Sequence, residues 1–320
     1  MKIFPGQRKT VHLHIGLPKT GTTALQYFLD KNRDALQREG FLFPKIAWHH
    51  HSQHKLAFGL RGMPYKGQDL NWESLEKELK KALSTAKCPH VVLSSEELAA
   101  AKPEQIATLQ QALKGVQVKV YLYLRRQDEF LESLYNQQVK TWWSPRKERI
   151  ERLLDQPEKV FGLLDYNEIV DRWAERFGEA NVGMRVYARD MLVEESIIDD
   201  FLNWLGLDRE GFESVTDLSN SSVSGKCVEV VRMSKHLGIS DEQRKQLYKK
   251  ASTFFEPQPK ETLLTCEERR SLLERYEGPN QQLGKRMGYA GSPFLPLDCS
   301  RYGPLARDVG KLELMQLLMG

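Results

Sequence analysis

The segment HIGLPKTGTTALQYFL, residues 14–29, constrains this chain more than any other stretch. It runs from an apolar strand through a glycine-bearing loop into an amphipathic helix. That order gathers successive backbone N–H groups and a helix N-terminus around one point, an arrangement suited to a bound phosphate. Gly16 and Gly21 have the spacing of the first part of a Walker A loop, but Thr22 and Thr23 stand where a nucleoside triphosphatase carries its lysine and Mg²⁺ ligand. The lysine comes earlier, at Lys19. A P-loop small-molecule kinase is therefore the weaker reading of this loop.

Around it, four apolar runs read as strands: Val11–Gly16, His90–Ser95, Val118–Arg125 and Val182–Ala188. β-Branched and aromatic residues dominate them. Helical spacing lies between, in Ala24–Leu36 and Leu70–Ala86, and again in Asp190–Gly206, Gly225–Gly238 and Thr265–Gly288. Gly206, Gly238 and Gly288 sit where helices end. Alternating strands and helices predict a three-layer α/β/α fold of the P-loop NTPase type, with a mainly parallel central sheet and a helical C-terminal third. We read 1–320 as a single domain, its core at about 10–210 and its helical part at about 211–320.

A second pattern follows in VYLYLRRQDEFLESLYNQ, where Arg125 closes a strand and Ser133 lies eight residues on in the next helix. Together with Pro-Lys-Thr-Gly-Thr-Thr, this resembles the sulfotransferases that use 3′-phosphoadenosine 5′-phosphosulfate (PAPS), most closely their bacterial members. The segments 201–207 and 267–289 resemble the C-terminal parts of those members more loosely. The resemblance implies a sulfuryl transferase with PAPS as co-substrate and no metal. Pro18, Lys19, Thr20, Gly21, Thr22 and Thr23 would grip the 5′ end. Arg125 and Ser133 would hold the 3′-phosphate, Arg125 through its planar fork of donors. Arg126 reads as a residue solvating the strand end. The Arg-Lys-Gly signature of the steroid and phenol branch is not evident, so the adenine contacts stay unassigned.

In-line transfer needs a base for the acceptor proton and a cation for the leaving phosphate. Lys19 fits the second role. For the first, Glu96 ends the strand of HVVLSSEELAA, where a parallel sheet places its ligands. His51 or His54, in the run WHHHSQH, is the other source. Helix capping by Ser95 and dipole stabilisation by Glu96 and Glu97 explain the first motif without function. His50 and His54 are four apart, but no H-E-x-x-H and no third ligand accompany them, so no metal site is expected. Trp142 and Trp143 are candidates for stacking on a sugar, and Ser219–Ser222 for helix capping or a nucleotide contact.

The net charge of +4, without a dense Lys/Arg stripe, fits anionic small substrates and argues against nucleic acid. The first residues lack a long apolar stretch, and the four separated cysteines form no C-x-x-C pair. They predict reduced thiols and a cytoplasmic chain with no transmembrane segment. A carbohydrate acceptor is favoured, with a non-catalytic nucleotide binder as the alternative from another class. Oligomeric state is not legible.

Overall fold

The computed structural model describes residues 8–141, 144, 146–157, 164–215 and 223–319. Trp142, Trp143 and Ser219–Ser222 lie outside the described residues. The chain forms two compact units, one of residues 1–125 and 165–218, the other of 126–164 and 219–320.

The first unit is built on a five-stranded, all-parallel sheet of order β2-β3-β1-β4-β5. Its strands are β1 (Thr10–His14), β2 (Phe41–Leu42), β3 (His90–Ser94), β4 (Gln117–Leu124) and β5 (Val182–Val186). Val11, Leu13, Val92, Leu93 and Leu122 are buried at 0–1% exposure because helices cover both faces. Burial on both faces also takes in polar residues. His12 bonds Tyr121 Oη at 2.8 Å and His90 Nδ1 at 3.1 Å, and burial drives its pKa down to about 3.

Helix α1 (Thr22–Lys31) follows β1 and packs Leu25, Phe28 and Leu29 into a core shared with Tyr121, Tyr123 and Phe201. The expected single helix over 24–36 breaks at Asn32. Its side chain donates to Phe28 O and Glu213 O and accepts from Glu213 N–H, satisfying groups that an unbroken helix would not need. The helix expected from 190 is two short 3₁₀ turns followed by Ile197–Leu205, closed by Gly206 at φ 75°. Tyr123 Oη and Arg185 both bond Asp200, which anchors that helix to the sheet.

In the second unit the helix Gln127–Lys140 packs with Gly225–Ser234 and Cys266–Arg275, and Asp241–Phe254 packs on Gly225–Ser234. Arg126 does not solvate a strand end, as its sequence context suggested. It is 8% exposed, holds both oxygens of the fully buried Asp128 at 2.7 and 3.1 Å, and donates to the carbonyls of Leu295 and Pro296. Arg269 takes Asp128 from the other side at 2.8 Å, bonds Glu132, and lies 3.8 Å from the Tyr302 ring centroid.

The cysteine reading is also corrected. Cys88 and Cys227 are buried thiols, but Cys266 and Cys299, 33 residues apart, form a disulfide with Cα atoms 5.7 Å apart. Only the fold brings them together, and their pairing removes the cysteine-based ground for a reducing compartment. Among the described residues no helix is long and apolar enough to cross a membrane.

Candidate active site

The chain order leaves β1 for β2 and β3 on one side, then crosses to β4 and β5 on the other. Beyond the carboxyl end of β1, at this reversal, a parallel sheet opens its ligand crevice. Four segments of the first unit end there: the 15–21 loop, Ser95–Glu96, Arg125 and Tyr187.

The loop turns sharply, with Gly16 at φ 40°, Lys19 at φ 68° and Gly21 at φ 75°. A left-handed lysine is uncommon and costs energy that surrounding bonds must offset. Those bonds are present: Thr20 Oγ1 donates to Leu17 O at 2.7 Å, and Arg125 donates to Lys19 O at 3.1 Å. Arg125 also lies 5.9 Å from the Tyr187 ring centroid, and its own carbonyl accepts from Tyr166 Oη at 2.6 Å. The structure thus places Arg125 against the loop. Pro18, Lys19 and Gly21 are half-buried, Thr20 and Thr22 buried, and Thr23 exposed. Ser133 is half-buried on the helix of the second unit.

Gly21 is the N-cap of α1, and no side chain caps the helix. The first-turn N–H groups therefore suit an external anion. Gly21 also admits no side chain, since a Cβ there would stand 2.9 Å from the Tyr187 ring. Gly21→Ala, which adds the left-handed penalty of about 1–2 kcal/mol to that contact, is expected to weaken binding of 3′,5′-adenosine bisphosphate about tenfold or more, as read by calorimetry. Unchanged affinity would place the anion elsewhere.

Beneath the loop, His14 is fully buried and burial lowers its pKa to about 3, so the ring is neutral. It stands opposite Ser94 in the β1–β3 register, and Nδ1 lies 2.8 Å from Ser94 Oγ. Among the described residues His14 Nε2 has no hydrogen-bond partner, and it borders Gly16, 3.2 Å from where a Cβ would be. A buried orphan polar atom under an uncapped helix start fits a site that receives a polar ligand. Two glycines that leave room for close approach, an uncapped helix and one lysine are a donor set that fits a phosphate–sulfuryl group.

Glu96 follows Ser95, whose backbone N–H donates to His14 O at the end of β1 at 3.0 Å. One of its oxygens, Oε2, accepts from Gln26 Nε2 at 2.9 Å, and His54 Nδ1 lies 3.9 Å from the same oxygen while 3.0 Å from Ser95 Oγ. Glu96 and His54 are thus brought together, and His51 is not. His51 Nδ1 is 2.7 Å from Asp30 Oδ2 and its ring meets Tyr27 edge-on. Glu97 pairs with Arg61 at 2.7 Å. His49, whose pKa burial and then the neighbouring His50 and Lys66 push to about 4, bonds Tyr65 Oη at 2.7 Å. Among the described residues no group of His, Cys, Asp and Glu is arranged to hold a metal ion.

Gln26, Ser94 and His14 were not singled out from sequence. A clue existed for His14, a polar residue within a strand buried on both faces. None existed for Gln26, whose neighbours Leu25 and Phe28 already account for the inward face of the helix.

No protein-family model matches the chain. An uncharacterised protein of Archaeoglobus fulgidus is 29% identical over 199 residues, 60% of this chain and 52% of that protein, so the chain spans about half the length of this curated relative. Among solved structures, a sulfotransferase from Alicyclobacillus acidocaldarius is similar over 73% of this chain and 98% of that one, with 15% identity and a TM-score of 0.41. A likeness that loose says nothing about chemistry, which rests on the residues themselves.

Proposed function

We propose that the chain is a PAPS-dependent sulfotransferase that moves a sulfuryl group to a hydroxyl or amine. The observation that carries this reading is one strand–loop–helix unit presenting Lys19 and an uncapped helix start, whose helix also holds Glu96 through Gln26. PAPS supplies a sulfur electrophile whose leaving group is a phosphate oxygen. The acceptor proton passes to the Glu96 carboxylate as the acceptor oxygen or nitrogen bonds to sulfur, and the bridging S–O bond breaks with its electron pair going to phosphate. Lys19 stabilises the charge growing on that oxygen. His54, beside Glu96 and Ser95, contacts the acceptor or relays its proton; His51, engaged with Asp30, orients the loop that carries it.

In this reading Pro18 to Thr23 enclose the 5′-phosphosulfate, and Arg125, held against the loop, binds the 3′-phosphate. Thr22, where a Walker lysine would stand, disfavours triphosphate chemistry. The paired Trp142–Trp143 in the sequence favours a carbohydrate acceptor.

The test is calorimetric titration with 3′,5′-adenosine bisphosphate in EDTA, with ATP as control. Micromolar affinity for the bisphosphate without metal, and much weaker ATP binding, is the expected result. No binding, or an Mg²⁺-dependent preference for ATP, would overturn the proposal and return a P-loop kinase to the front.

A further inference from the structure

We propose that Gln26 is the positioning residue for the Glu96 carboxylate, anchored through Ser94 by His14. The inference rests on the sulfotransferase reading and adds a residue to it.

Gln26 lies in the second turn of α1 and is 4% exposed. Its amide nitrogen donates at 2.9 Å to Glu96 Oε2 and at 3.2 Å to Ser94 Oγ, which uses both of its protons. Ser94 is itself fixed. It is 1% exposed, its backbone N–H donates to Gln53 Oε1 at 2.8 Å, and its hydroxyl lies 2.8 Å from His14 Nδ1.

The proton order follows from satisfying each group. Ser94 Oγ accepts from Gln26, so its own proton needs an acceptor, and His14 Nδ1 is the partner in reach. The neutral ring then carries its proton on Nε2, a tautomer assigned from these partners. A cationic His14 would donate at Nδ1 and break the sequence; burial keeps it neutral.

Such a chain has a clear use. A glutamate side chain loses rotamer freedom when held in one pose, and a base must be in place before transfer. A lysine or arginine at position 26 would hold the carboxylate too, but would draw its charge away from the acceptor proton. A neutral amide fixes one oxygen and leaves the group a base. Because Gln26 rides on the helix that begins at the loop, its hydrogen bond ties the base to the element that forms the leaving-group site.

The experiment uses PAPS cleavage to bisphosphate and sulfate with water as acceptor, so no acceptor need be known. Water's proton passes to Glu96, its oxygen bonds to sulfur, and the bisphosphate leaves. Gln26→Leu is expected to lower kcat by about 10- to 100-fold, at or below the roughly 10²-fold lower end of what a general base itself contributes. Bisphosphate affinity stays within about twofold, since binding does not use the base. In a Glu96→Gln background the same change is expected to add nothing.

An unchanged kcat, or an equal loss in the Glu96→Gln background, would overturn the proposal. Loss of bisphosphate binding in Gln26→Leu would also overturn it, by making Gln26 a support of the loop instead. If the unaltered protein binds bisphosphate but cleaves no PAPS, the transferase reading itself fails, a result separable from the others because it needs no variant.

Discussion

Lys19→Ala is expected to lower PAPS turnover by about 10²- to 10³-fold, the cost of removing one well-placed donor from a developing oxyanion, while bisphosphate affinity falls only severalfold. The asymmetry comes from what holds the loop. Arg125 bonds the carbonyl of Lys19 and Thr20 bonds that of Leu17, so the backbone path survives truncation of the side chain. Alanine also meets the same left-handed penalty as lysine at φ 68°, so backbone strain does not change. On the proposed mechanism, what disappears is a positive charge beside the bridging oxygen, and that charge matters most as the S–O bond breaks. Steady-state PAPS cleavage paired with calorimetry on the bisphosphate measures the two quantities separately. Equal losses in turnover and affinity would make Lys19 a ground-state ligand and remove its transition-state role.

Asp128→Ala is expected to destabilise the second unit by about 3–5 kcal/mol, the usual cost of removing one member of a buried ion cluster. Asp128 is fully buried, and Arg126 and Arg269 converge on it at 8% and 1% exposure. Without it both guanidiniums remain in the interior with a carboxylate gone. Burial by itself would raise the Asp128 pKa; hydrogen bonds and charge from Arg126, then Arg269, outweigh it and hold the group below its ordinary 3.8. The sign follows from that depression. The stability Asp128 contributes is complete above the ordinary carboxylate value and is lost as pH falls toward the lowered one. Urea unfolding at neutral pH reads the first effect, and the acid arm of the stability curve, shallower in Asp128→Asn, reads the second. A neutral-pH loss under about 1 kcal/mol would show that Arg126 and Arg269 find other partners.

The parallel sheet was legible because central strands need long apolar runs. His90–Ser94, Gln117–Leu124 and Val182–Val186 fall within a residue or two of their expected bounds. β2, with Phe41–Leu42, is too short to show a period. Long helices were legible where apolar spacing was strong, as in Trp72–Thr85. The helix Asp241–Phe254 was missed because its exposed face is almost wholly polar and leaves little periodic signal. The break at Asn32 was missed because its reason, Glu213, lies 181 residues away.

The sequence by itself determined that a strand–loop–helix unit forms at 10–31, that its loop carries one lysine, outside the Walker position, and that the strands run parallel. Each is a local property, written in residue type and spacing, and local patterns survive being read in one dimension. Tertiary structure alone decided that Glu96 meets His54 and Gln26 while His51 turns to Asp30, that His14 is buried neutral under the loop, that Arg126 joins Asp128 and Arg269 in the interior, and that Cys266 reaches Cys299. These depend on which distant segments are packed together, and on the burial that sets the charge of each group; no neighbouring residue encodes either.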